Sequence, residues 1–162
     1  VPKFSDTKGR EWVVSITVGA IRRVIELENV NLARIDRPRD GSVLDTSLIT
    51  ELTFDIELLV NVVYALVKPQ ADAMNPPVTP MDFAEALDGG VVNKASEALW
   101  SALENFFQHS RPDLVATIRK QVKLTGMMAE AFEKKVAAAD LDSILGRFVS
   151  SLPGNAESTP KA

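Results

Sequence analysis

Between Arg10 and Val18 the sequence reads REWVVSITV, with Trp12, Val14, Ile16 and Val18 alternating against Glu11, Val13, Ser15 and Thr17. A two-residue period in β-branched and aromatic side chains specifies a strand with one buried face. The period then changes. Ile21, Val24, Ile25 and Glu28 follow 3.6-residue spacing, with Thr17 placed as a cap and the helix closing near Asn29. Ahead of the strand, Asp6-Thr7-Lys8-Gly9 reads as a turn in which Gly9 takes positive φ. Residues 3–18 are therefore expected to form a β-hairpin. A lone hairpin is marginal in water, so its apolar face must be covered by helices or extended by another chain.

The rest of the chain reads as helix. RIDRPRDGS (Arg34 to Ser42) is a polar loop, and a short helix is expected from about Thr46 to Leu52. FDIELLVNVVYALVKPQ has the length of a buried helix, with Pro69 as its stop, and ADAMNPPVTP is a loop. Thr79, Pro80 and Asp82 spell a capped helix start, and Gly89-Gly90 is read as that helix's end. A helix over Val91 to Phe107 turns Ala95, Ala98, Leu99, Ala102, Leu103 and Phe106 inward. Ser110, Pro112 and Asp113 open the longest helix, with Leu114, Val115, Ile118, Val122, Met128, Phe132 and Val136 on one stripe and Gly126 as a candidate bend. A last short helix is expected over Leu141 to Leu152. The expected fold class is mainly α (α+β): a single helical domain over residues 1–152 with an N-terminal β-hairpin, then a flexible polar tail at 153–162.

Composition excludes several function classes. The chain has no cysteine, which removes disulfides, thiolate metal sites and cysteine nucleophiles. No apolar run approaches the ~18–20 residues that span a bilayer. VPKFSDTKGR has no signal-peptide h-region, so a cytoplasmic location is expected. Charge is uneven: residues 41–109 carry two Lys/Arg against ten Asp/Glu, while each flanking block has eight against six. A nucleic-acid binder concentrates positive charge more strongly, so nucleic acid is an unlikely partner; Arg22, Arg23, Arg34, Arg37 and Arg39 are its only candidates.

No catalytic constellation stands out. The single histidine, His109, ends a helix and has no second histidine for a metal pair. Neither a G-x-S-x-G elbow nor a Gly-rich phosphate loop occurs. Asp82/Glu85, Glu130/Glu133 and Asp140/Asp142 are carboxylate pairs of a kind common on exposed helices. No catalytic, cofactor-binding or metal-ligating residue is expected, and no enzyme. Candidate partner contacts come instead from aromatics: Trp12 on the hairpin, and Trp100 and Phe107, which sit beside inward-facing neighbours and are candidates to face outward.

The succession F-x-D-T-x-G-R-x-W-x-V-x-I-x-V, A-I-R-R-V, VNL, VVYALVKPQAD, VTPMDFAEALDGG and ALWSALENFF resembles small phage and prophage proteins that are tail assembly chaperones or minor tail components. The similarity runs from about Phe4 to Leu152. It implies a non-enzymatic role: binding the long helical tape measure protein, recruiting tail-tube subunits in some phages, and working in the cytoplasm of a bacterial host. Such proteins are often made in two lengths by ribosomal frameshifting. On this reading the hairpin caps one end of the core and leaves an edge strand for self-association or a tube subunit. The alternatives are a structural tail or head-completion protein retained in the particle, or a regulatory helical module.

Overall fold

The computed structural model describes residues 1–138. The described residues are mainly α with an N-terminal antiparallel hairpin. Strands β1 (Lys3–Ser5) and β2 (Glu11–Val13) pair with Phe4 opposite Trp12. Helices follow at α1 (Val18–Glu28), α2 (Leu48–Phe54), α3 (Ile56–Ala73), α4 (Pro80–Glu85), α5 (Gly89–Phe107) and α6 (Pro112–Ala138), with a 3-10 turn at Leu32–Arg34. Val1–Lys123 form one compact unit, and a second unit starts at Leu124. The expected helix over Leu141 to Leu152 and the tail lie outside the described residues.

The turn of the hairpin is built on one carboxylate. Asp6 Oδ1 accepts from the backbone N–H of Lys8 (2.9 Å) and Arg10 (3.0 Å). Its Oδ2 accepts from the Arg10 guanidinium (2.6 Å) and the Trp12 indole N–H (2.9 Å). Gly9, at φ 78°, lets the chain reverse tightly around these bonds. Asp6 and Trp12 are both buried. Burial pushes the Asp6 pKa up, but the hydrogen bonds from Trp12 and Arg10 and the charge of Arg10 outweigh it, so the carboxyl sits below its ordinary value.

Helix α4 then covers the hairpin. Its Thr79 cap works as read: the Thr79 hydroxyl accepts from Asp82 N–H (3.1 Å) and the Asp82 carboxylate accepts from Thr79 N–H. The helix thereby presents Phe83, fully buried, to three aromatic rings. Trp12 (5.2 Å) and Phe4 (6.4 Å) meet it edge-on, and Tyr64 of α3 lies tilted at 5.3 Å. The Tyr64 hydroxyl donates to Val78 O (2.9 Å), tying α3 to the segment that enters α4. Thr7 N–H donates to Ala86 O (3.0 Å), so turn and helix are also joined through the backbone.

Three local expectations are corrected, and the loop over Arg34 to Ser42, a loop as expected, gains anchors. The strand ends at Val13, because Thr17 caps α1 by accepting from Ala20 N–H, and Val18 becomes an exposed helical residue. Pro69 does not stop a helix: α3 continues to Ala73. A proline leaves the carbonyl four residues earlier without its helical donor. Here that carbonyl, Ala65 O, faces the Arg23 guanidinium of α1 at 3.5 Å, with Leu66 O at 3.4 Å. Gly89-Gly90 begin α5 rather than ending α4, since Asp88 caps α5 by accepting from Val91 N–H (2.9 Å). Finally, the polar loop is anchored: Ile35 is fully buried, and Arg39 bonds the buried Glu51 of α2 at 2.5 Å.

Two outcomes follow from this geometry. Asp6→Asn should lower stability in urea unfolding by about 2–4 kcal/mol at neutral pH, because the Trp12 and Arg10 donors lose a charged acceptor. A lowered folded-state pKa contributes stability above the unfolded value of about 3.9, which is lost as pH falls through the folded value. The gap between wild type and variant should therefore narrow on acidification. In a double-mutant cycle, Arg23→Met should cost about 1 kcal/mol in the wild type and measurably less beside Pro69→Ala, which restores the helical donor.

Candidate protein-binding groove

The extended segment after β2 and the last turns of α5 border an open groove of about 440 Å³. Val14 and Ile16 keep the two-residue alternation, so both side chains point the same way; Val14 is buried and Ile16 half-buried. Val14 N–H donates to Pro2 O (2.9 Å), which holds Val1 and Pro2 as part of the wall. Opposite them, Ala102 and Phe106 are four residues apart and share a face of α5. Ala102 is small and buried, so it forms a low floor, while the half-buried Phe106 ring stands as the higher wall. Ser15 and the exposed Asn105 supply the polar rim. The accessible lining is mixed, with polar surface slightly exceeding apolar; its apolar part, from Val14, Ile16, Ala102 and Phe106, offers contact to aliphatic side chains of another chain.

The neighbouring strand edge is occupied at Val13. Val13 N–H donates to Gln70 Oε1 (3.0 Å) and Gln70 Nε2 donates to Val13 O (2.7 Å). The α3 amide thus pairs with Val13 as the next strand would, and the expected free edge does not exist at that residue of β2.

The aromatics proposed from the sequence as partner contacts are placed inside the unit. Trp12 is fully buried against Phe83, with Arg10 over its ring at 5.5 Å. Trp100 and Phe107 are also buried. The outward-facing reading of Trp100 and Phe107 is corrected because α5 is covered over a wide arc, so the residues beside its inward stripe are enclosed as well. In the pair Phe106/Phe107 the roles are exchanged. Phe107 goes into the core and packs edge-on, at 5.1 Å, against Phe106, which lines the groove. Phe106, expected inward, is half-buried and lines the groove; its spacing gave no local sign of this, because Ala102 one turn earlier is buried.

Other candidates are accounted for by local structure. Asp82 is a helix cap whose carboxyl is held below its ordinary value by the bonds with Thr79, and Glu85 is exposed. The Glu133 side chain and the Asp140/Asp142 pair lie outside what the structure describes. His109 is exposed beside Gln108. Arg23 serves α3, while Arg34, Arg37 and Arg39 border one notch of about 70 Å³ together with Asp40, and Arg39 also bonds Glu51. Among the described residues no group of three or more His, Cys, Asp or Glu is placed to hold a metal, and no helix is long and apolar enough to cross a membrane.

Comparison with protein-family models, curated proteins and solved structures returned no match to this chain.

Truncating the two adjacent rings should separate core from wall. Phe107→Ala should cost about 3–5 kcal/mol in chemical unfolding, the range for emptying a buried phenylalanine site. Phe106→Ala should cost about 1 kcal/mol or less, as its ring is only partly enclosed.

Proposed function

We propose that this protein works by binding other proteins rather than by catalysis, as a phage tail assembly chaperone whose client is the tape measure protein. The observation that carries the reading is the groove between Val14, Ile16, Ala102 and Phe106. A tape measure is a long helical chain with an apolar stripe, and a helix engages a partner through side chains spaced three and four residues apart. A groove walled by rigid elements receives such anchors with little ordering of its own. The resemblance in the sequence is the ground for naming this client, and the groove is the surface on which the reading rests. Tail-tube subunits are the second partner this reading implies, and the host cytoplasm is the compartment in which it operates.

Co-expression with the tape measure protein of the same phage or prophage, followed by affinity purification, tests the reading. The wild-type chain should copurify with it and keep it soluble. Ile16→Ser and Phe106→Ser should each reduce recovery of the client at least tenfold while keeping wild-type circular dichroism and a cooperative unfolding transition, with stability lowered by about 1–2 kcal/mol because both side chains are half-buried. Copurification that is indifferent to both substitutions would remove the groove from the account, and absence of copurification by the wild type would remove the client.

A further inference from the structure

Two exposed surfaces outside the groove are both apolar at their centres and opposite in flanking charge. The first is on α6. Leu124, Met127, Met128 and Ala131 follow i, i+3, i+4, i+7 spacing, so they share one face, and the first three are 45%, 56% and 62% exposed. Lys120 and Lys135 continue that row at its two ends, and Lys123 and Lys134 flank it. Glu130 lies further round the same side. None of the four lysines has an ion-pair partner among the described residues, whereas Arg119 on the same helix is paired with Glu104 at 3.1 Å. A methionine-bearing stripe adapts readily to the partner packed on it.

The second surface is the corner between α2 and α3. Phe54 ends α2 and Ile56 begins α3, and they are 63% and 62% exposed. Asp55 between them and Glu57 beyond them are exposed, and neither has an ion-pair partner among the described residues. The corner is stiff. Asp55 N–H donates to Glu51 O (2.8 Å), Leu59 N–H donates to Asp55 O (3.0 Å), and the Asp55 carboxylate accepts from Leu58 N–H (3.0 Å). The backbone that carries both apolar side chains is therefore fixed before any partner arrives, which lowers the ordering cost of docking. The corner belongs to the acidic block at 41–109, and the stripe to the basic block that follows it.

We infer that the occupant of the α6 stripe is a second copy of this chain, seated through its own Phe54–Glu57 corner. Phe54 and Ile56 pack among Leu124, Met127 and Met128, and Asp55 and Glu57 meet the flanking lysines. The two patches differ, so the contact is heterologous: each copy offers one of each, and assembly continues head to tail beyond the dimer. The inference does not depend on what occupies the groove.

Sedimentation velocity on the full chain tests it. Wild type should show a mass that rises with concentration over about 10–200 µM and falls back toward the monomer between about 0.05 and 0.5 M salt, because the flanking charges are screened. Leu124→Asp with Met128→Asp removes the stripe, and Phe54→Ser with Ile56→Ser removes the corner. Each double variant alone should stay monomeric, with wild-type circular dichroism, since all four positions are exposed. An equimolar mixture of the two should form a dimer of twice the monomer mass and grow no further, since it holds one intact stripe and one intact corner. A wild type that is monomeric throughout overturns the proposal. So does a mixture that stays monomeric while wild type assembles, or assembly that survives both pairs of substitutions. Binding of a monomeric wild type to phosphatidylserine vesicles would instead make the stripe a membrane-facing surface and also end it.

Discussion

The carboxylate of Asp6 is what turns a marginal hairpin into part of a core. It gathers two backbone N–H groups, a guanidinium and an indole, so the conformation of the turn and the position of Trp12 are settled by the same atoms. Trp12 then offers its ring to Phe83, and Phe83 brings α4 with it. A carboxylate sharing several donors in a partly enclosed site binds them cooperatively, and each bond steadies the geometry of the others. With strands of only three residues each, the hairpin has little ladder of its own to rely on. Side-chain chemistry therefore holds what strand pairing does not.

What the sequence made legible was local. Thr79-Pro80-x-Asp82 is a self-contained signal, because every atom of the capping box lies within four residues. The change from period two to period 3.6 is local too, and it placed Thr17 correctly. Misreadings arose where a distant group altered a local rule. Pro69 breaks helices that have nothing to offer the freed carbonyl, and here Arg23 lies close to it from another helix. Gly89-Gly90 can end one helix or begin the next, and the choice fell to the Asp88 side chain in front of them. The exposure of Trp100, Phe106 and Phe107 was not legible, because neighbouring positions on a helix differ only in which of them the rest of the fold covers. The groove depends on the same placement and shared that obscurity.

Gln70 occupies the outer edge of β2 at Val13. At Val13 the donor and acceptor that would recruit another strand are already engaged by an amide of α3. The hairpin therefore contributes a wall to the groove through Val14 and the residues that follow, rather than a template for sheet extension. What stays accessible beside it is the groove bordered by Val14, Ile16 and Phe106 and the outer faces of the helices.

The dependence of the hairpin on Phe83 and Ala86 also sets an order in time. Trp12 precedes Phe83 by about 70 residues, and synthesis at roughly 5–20 residues per second separates the two by roughly 4–14 s. During that interval WVVSITV is an unpaired, β-prone, uncharged segment of the kind that adheres to its own copies on neighbouring nascent chains. Lys8, Arg10 and Glu11 stand directly before it, where charged residues discourage such adhesion. Arg10, which later packs over Trp12, is thus stationed beside that ring while the helix that will enclose it has yet to be made.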